Sequence, residues 1–178
     1  MNNKIRWITE TAVMLALLIA LQVLTKPLGQ LVTGSFVNAV LAMTVLVAGL
    51  YSGITVALIS PVLAYLLGIA PQILTVPAIM VGNTVFVVIL HFMTGEQIFR
   101  KIAAWLVAAG AKFAVLYAIV SWLICGVFAQ GLLESGMLKA PMLKMLPATF
   151  GLPQLFTALI GGGVALLIAP VIRKALRK

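Results

Sequence analysis

The chain has 178 residues, of which 63% are hydrophobic and 8% charged, and its mean hydropathy is +1.23. A water-soluble domain carries about 25% charged residues, so this composition excludes a soluble fold and predicts one integral membrane domain of all-α class. The net charge of +9 comes from 12 Lys and Arg against 3 Glu and no Asp; no basic run is interleaved with aromatics in a polar segment, which argues against nucleic-acid binding.

A spanning helix needs about 20 apolar residues, and the chain divides into about six such segments. The first covers about 7–25 and is closed by Lys26-Pro27 and Gly29. It follows Lys4 and Arg6 as a signal peptide would, but it is long for a signal core and no A-x-A cleavage site follows, so it reads as a retained helix. Within it Ala12, Ala16 and Ala20 recur every fourth residue and share one helix face. Three methyl-sized side chains make a shallow groove that another helix can approach closely, the usual mode of helix recognition in lipid.

A polar, glycine-containing stretch to about Gly34 is expected to be loop. The apolar run Ser35–Ala70 then predicts a tight hairpin of helices at about 36–50 and 53–69, turning at Gly49-Leu50-Tyr51-Ser52-Gly53. Pro61 is expected to kink the second of these, because it has no N–H to donate. Gly68–Val76, with Pro71 and Gln72, reads as a loop, and Pro77 opens a fourth helix at about 77–93 as a good first-turn residue. A polar connection from Thr94 to Lys101 leads to a fifth helix at about 102–128. The stretch 129–147 is the longest non-spanning segment, with room for a short amphipathic helix, and a sixth helix covers about 148–172.

Six spans put both termini on one side. That side would hold Lys4, Arg6, Arg100, Lys101, Arg173, Lys174, Arg177 and Lys178, against Lys26, Lys139 and Lys144 opposite. The positive-inside rule makes the richer side cytoplasmic. The segments 26–35, 70–76 and 129–147 then face outward in a multi-pass protein of the cell membrane. No internal repeat of the inverted-transporter kind is evident.

Little in the chain suits catalysis, and the expectation is that it is not an enzyme. Glu10, Glu96 and Glu134 lie far apart and form no acid–base or metal-binding pair. His91 is the single histidine and Cys125 the single cysteine, so no metal cluster, disulfide or cofactor is expected. There is no nucleophile elbow and no phosphate-binding loop of the NTPase type. Cys125 reads as a small buried hydrophobe. Glu10 and His91 fall near cytoplasmic helix ends, within snorkelling reach of water.

Lys112 is the exception. It lies about ten residues into the fifth helix, about 15 Å from its inner end, where an ammonium costs ~2.5–3.5 kcal/mol or more to insert. It must face the bundle interior and find a partner, either a solute carboxylate or phosphate or an amide such as Asn83. Asn83 follows Gly82 in the fourth helix, and a buried amide in lipid serves either as interhelical glue or as a ligand contact. Tyr117 and Trp122 lie further out on the helix of Lys112, where they either stack on a ligand or anchor at the membrane interface. Asn38, Gln72 and Gln154 sit at outer helix ends. Together these polar groups suggest a pocket opening outward that takes an anionic or carboxylate-bearing small molecule.

With this size, six short helices, cytoplasmic termini, an outer loop after the first helix and a longer one before the last, and Ala12-x-x-x-Ala16-x-x-x-Ala20 in the first helix, the chain resembles the S components of energy-coupling factor (ECF) transporters. The resemblance spans nearly the whole chain. It implies a prokaryotic substrate-binding subunit that captures a vitamin or related micronutrient outside. Such a subunit docks through the alanine face on a transmembrane scaffold (T) subunit, which couples it to two ATPases for ABC-type uptake. It implies outer loops that act as lids, and a substrate site on the outer halves of helices four to six, near Lys112, Asn83, Trp122 and Gln154. No motif identifies the vitamin. A stand-alone small carrier or channel is the alternative, followed by a membrane subunit with no role in transport.

Overall fold

The computed structural model describes residues 3–70 and 72–176. Pro71 in the loop expected before the fourth helix, and Arg177 and Lys178 of the C-terminal basic cluster, lie outside them. The described residues are helical, with no strand among them. In chain order the helices are α1 (Asn3–Thr25), α2 (Gln30–Ala48), α3 (Leu50–Leu66), α4 (Val76–Met93), α5 (Ile98–Tyr117), α6 (Ala129–Glu134), α7 (Met142–Phe150) and α8 (Leu152–Leu176). Beyond Tyr117, α5 continues directly into a π-helical segment, Ala118–Val127.

Five helical stretches are long and apolar enough to cross a membrane: Lys4–Leu28, Gln30–Ala48, Ile73–Met93, Ile98–Val127 and Met142–Leu176. The sixth apolar helix, α3, is shorter at 17 residues. Only 22% of the first stretch and 28% of the fourth is buried. The bundle therefore turns outward a girdle of large apolar side chains such as Leu24, Leu66, Val127 and Leu167. A soluble monomer does not carry contiguous apolar surface on that scale, whereas a multi-pass membrane protein requires it.

Several boundaries differ from those the sequence suggests. The expected loop at 26–35 is mostly helix: one tight turn, Lys26–Leu28, then Gly29, after which α2 starts at Gln30. The Thr33 hydroxyl donates to the Thr25 carbonyl at 2.8 Å and ties the two helices across that turn. The expected five-residue hairpin is a single glycine. Gly49 has φ 90°, a left-handed-side conformation closed to residues with a Cβ, and α3 resumes at once with Leu50. Helix α3 runs unbroken through Pro61 and ends at Leu66, short of the expected 69. The segment 129–147 holds α6 and most of α7, and the last expected helix is α8, which starts after Gly151, four residues later than 148.

Helix α2 is central and packs against α1, α3, α4 and α8, while α5 closes the bundle against α4 and α8. The main core joins Leu18, Leu41, Val45, Val56, Phe86, Val87, Leu90, Ala108 and Ala165. A second cluster, with Leu116, Val120, Leu138, Leu146 and Phe150, seats α6 and α7 on the outer part of α5 and caps that end of the bundle. The other end holds both described chain termini, Gly49 and the α4–α5 connection.

The Gly161-Gly162-Gly163 run explains how α8 approaches so closely. A Cβ at Gly161 would lie 2.6 Å from the Ala39 amide nitrogen and 2.7 Å from the Asn38 Cβ, so only glycine admits the α2 backbone here. Beside it, the Trp105 indole lies over Gly162 and Gly163 and donates through Nε1 to the Leu159 carbonyl at 2.9 Å. By contrast nothing lies within 4 Å of a Cβ at Gly110 in α5. Gly161→Ala is therefore expected to cost about 1–3 kcal/mol through overpacking. Gly110→Ala should be neutral or stabilise by about 0.5–1 kcal/mol through helix entropy. Thermal unfolding of the two variants in detergent, followed by loss of the monodisperse peak, checks both signs.

Candidate functional site

Polar side chains inside an apolar bundle locate the site. Lys112, on α5, is 2% exposed. Its Nζ donates to Asn38 Oδ1 on α2 at 2.5 Å and to Asn83 Oδ1 on α4 at 2.7 Å. It also lies 5.5 Å from the centroid of the Phe86 ring, close enough for a cation–π contribution. A charge-assisted bond contributes about 1.5–3 kcal/mol, so the two amides together offset much of the cost of placing an ammonium there.

The charge itself has no counter-ion among the described residues. Glu10 pairs with Arg6 at 2.7 Å, Glu134 accepts from Gln130, and Glu96 sits in the α4–α5 connection. Lys112 is thus a buried amine held by neutral groups alone.

A lysine has only donors to offer, so it fixes how both asparagines are turned: each carbonyl oxygen faces Lys112 and each NH2 faces away. The Asn38 NH2 is satisfied, donating to the Gly34 carbonyl at 2.9 Å and to Thr157 Oγ1 at 3.2 Å. Thr157 in turn donates to the Gln154 carbonyl at 3.1 Å, which brings α8 into the network. The Asn83 NH2 has no partner. Ser60 Oγ on α3 and Gln22 Oε1 on α1 are likewise buried without a partner. A native interior leaves few such atoms, each at a cost of about 1–3 kcal/mol.

These three, of five buried unpartnered side-chain atoms among the described residues, line one cavity of about 300 Å3, together with Lys112, Asn38, Gln154, Thr33, Thr149 and Phe150; of the other two, Thr94 Oγ1 belongs to a residue at the opposite end of the bundle and Ser121 Oγ to the π-helical segment. The cavity is at the lower end of the range for small-molecule sites. It lies toward the capped end of the bundle. Ile79, Val37, Pro61 and Ala64 give it apolar walls, and Met145, Thr149 and Phe150 of α7 border it from the cap. A larger cavity of about 430 Å3 lies at the opposite end, beside Thr94, Glu96, Lys101, Arg173 and Lys174. Its charged side chains are at least partly exposed and Arg173 is engaged with the Leu46 carbonyl. The concentration of buried, unanswered polarity is at the smaller cavity.

Of the residues singled out in the sequence, Lys112, Asn83, Asn38 and Gln154 converge on this cavity. Tyr117, Trp122 and Gln72 do not line it. Tyr117 is 49% exposed and Trp122 68% exposed. Five residues beyond Lys112, at about 100° each, carry Tyr117 some 140° around the helix, and the π-helical turns begin immediately after it. Both rings lie on the outside of the bundle, away from the cavity. Gln72 instead donates to the Met137 carbonyl at 3.1 Å and lies 2.9 Å from Met142 Sδ, holding the α3–α4 connection to the segment before α7.

Gln22, Ser60, Thr33 and Thr149 also line the cavity and were not singled out in the sequence. An amide one turn before the end of α1, and a serine beside a proline within an apolar helix, are the signals that mark the first two. Ala12, Ala16 and Ala20 are all exposed, on the side of α1 away from the bundle. The chain matches no protein-family model, no curated protein and no solved structure.

Truncating Asn38 removes one acceptor from Lys112 and the donor to Gly34 and Thr157. Asn38→Ala is expected to destabilise the protein by about 1.5–3 kcal/mol. The readout is a fall in its detergent melting temperature, whereas Gln72→Ala, outside this network, should change it much less.

Proposed function

We propose that this chain is the solute-capture subunit of an ATP-driven uptake system, of the kind its sequence resembles in the ECF S components. In this reading six helices cross the prokaryotic cytoplasmic membrane with both termini inside. Helix α3 is the short member, about 25 Å long at 1.5 Å per residue, at the lower limit for a span. The capped end then faces outward, and a vitamin or related micronutrient enters the cavity from that side. The observation that carries the reading is the cavity itself, where three buried polar atoms from α1, α3 and α4 stand unpartnered beside Lys112. A purely structural bundle gains nothing from unsatisfied donors, while a binding site holds them ready for a ligand.

The alanine face supports the second half of the proposal. Ala12, Ala16 and Ala20 contribute nothing to the core of their own chain, yet their spacing makes the small-residue surface on which membrane helices meet. A transmembrane scaffold subunit carrying two ATPases is the proposed partner, with energy supplied there and not by this chain. One observation favours the alternative, a stand-alone carrier: the second cavity at the opposite end, which would give a carrier an exit.

Native mass spectrometry of the chain pulled from its source membranes separates these readings. The wild-type chain should bring down a scaffold subunit and ATPases and retain a bound small molecule. Ala16→Trp should lose the partners and keep the small molecule. Loss of the small molecule with the partners would mean that the alanines serve the fold and not docking. Solute movement into liposomes containing this chain alone would instead establish a carrier.

A further inference from the structure

The cavity is polarised along its depth, and that asymmetry describes the ligand. Counting from the capped end, Asn38 lies eight residues into α2, Asn83 seven into α4 and Ser60 six before the end of α3. At 1.5 Å per residue these are about 9–12 Å deep. Lys112 meets the two asparagines at that level. Nearer the capped end the lining is neutral: Gln22 is three residues from the end of α1, and Gln30 and Gln154 stand in the first turns of α2 and α8.

The floor is made of donors. Both amide oxygens there are already taken by Lys112. What remains is one N–H of the ammonium, the two N–H groups of Asn83 and the Ser60 hydroxyl, about four donors in all. The Asn83 and Ser60 groups line the same cavity as Lys112, which has no acidic partner among the described residues. An ionised carboxylate accepts at about four lone-pair positions and carries one negative charge. A phosphate monoester brings a charge near two and a third acceptor oxygen, which one ammonium leaves uncompensated. At the rim, the Gln22 oxygen is buried and unpartnered. No bond fixes which edge of that amide faces the cavity, so it reads a polar group on the ligand without demanding a charge.

We infer that the solute, on the capture reading above, is a small monocarboxylate that binds carboxylate-first. Its acid group is held on the floor by Lys112, Asn83 and Ser60. At its other end an uncharged hydrogen-bonding group meets Gln22 at the rim, and a short apolar body lies between along Val37, Ala64 and Ile79.

The test uses the purified full chain and four probes: ε-acetamidohexanoate, its primary amide ε-acetamidohexanamide, hexanoate and hexyl phosphate. Binding is read from the rise in melting temperature with probe concentration. The carboxylate with the acetamido group should bind at least tenfold more tightly than its amide or the phosphate ester, and more tightly than hexanoate. Lys112→Met removes a group the fold also uses and is open to misfolding. Asn83→Asp avoids this, because the new carboxylate supplies the missing counter-ion in place. Asn83→Asp should fold with an unchanged or higher melting temperature and lose the response to ε-acetamidohexanoate, while Gln22→Leu should lose only the advantage over hexanoate.

Equal binding of acid and amide, preference for the phosphate ester, wild-type binding by Asn83→Asp, or no response to any probe would each overturn the inference. In the last case native mass spectrometry distinguishes two failures. A chain still loaded with a small molecule leaves the capture reading standing without its carboxylate, and a chain that is always empty removes both.

Discussion

One ammonium group governs how this bundle is put together. Lys112 draws a carbonyl oxygen from α2 and another from α4, so three helices must hold their register to within hydrogen-bonding distance. The same demand passes through Asn38 to Thr157 and so to α8. The glycines of α8 make this possible, since α2 and α8 meet backbone to backbone at Gly161, one turn from Thr157. Apolar packing alone among Leu, Val and Ala would tolerate a sliding register, because lipid and core are equally apolar. The polar cluster removes that freedom.

The cluster is incomplete on one side only. Asn38 is satisfied at both edges of its amide, while Asn83 is satisfied at one. The α2–α8 half is therefore a finished scaffold, and the α3–α4 half, with Ser60 and Asn83, is left open to the cavity. Both donors open onto the cavity, so a group that enters it can meet them. In the proposed reading a bound solute would take up these donors. The cap is packed apart from this half: α6 and α7 rest on a small apolar cluster shared with Leu116 and Val120 and separate from the main core.

The deepest part of this arrangement was the most legible in the sequence. A lysine and asparagines within apolar segments are costly enough that their inward placement follows from energetics alone, and Lys112, Asn83 and Asn38 do meet. The angular positions were less accessible. Tyr117 and Trp122 share a helix with Lys112 but not a face, and the π-helical winding from Ala118 has no simple sequence signature. Gln22 and Ser60 were hidden for a related reason: each is one polar residue in a long apolar helix, and which way it points depends on neighbours distant in sequence. Helix ends failed where glycine misled. Gly34 read as loop but serves close contact with Thr157, while Gly49 alone makes the turn for which five residues were expected.

Helix α1 brings the two halves of the proposed function into one element. Its inner side supplies Gln22 to the cavity rim and Leu18 to the core; its outer side presents Ala20, two residues from Gln22, at the end of the exposed alanine stripe. Only 22% of its most apolar stretch is buried, the smallest share among the five helical stretches long enough to span a membrane. If a scaffold packs on the alanines, it gains its contacts from the helix that also supplies Gln22, and any movement of that helix carries Gln22 with it. Reciprocity then follows from linkage: a ligand that fixes Gln22 changes the affinity of the docking face by the same factor by which docking changes the affinity of the cavity. The floor groups Asn38, Asn83 and Lys112 lie instead on α2, α4 and α5, so in the proposed scheme a movement of α1 would alter the rim and not the floor.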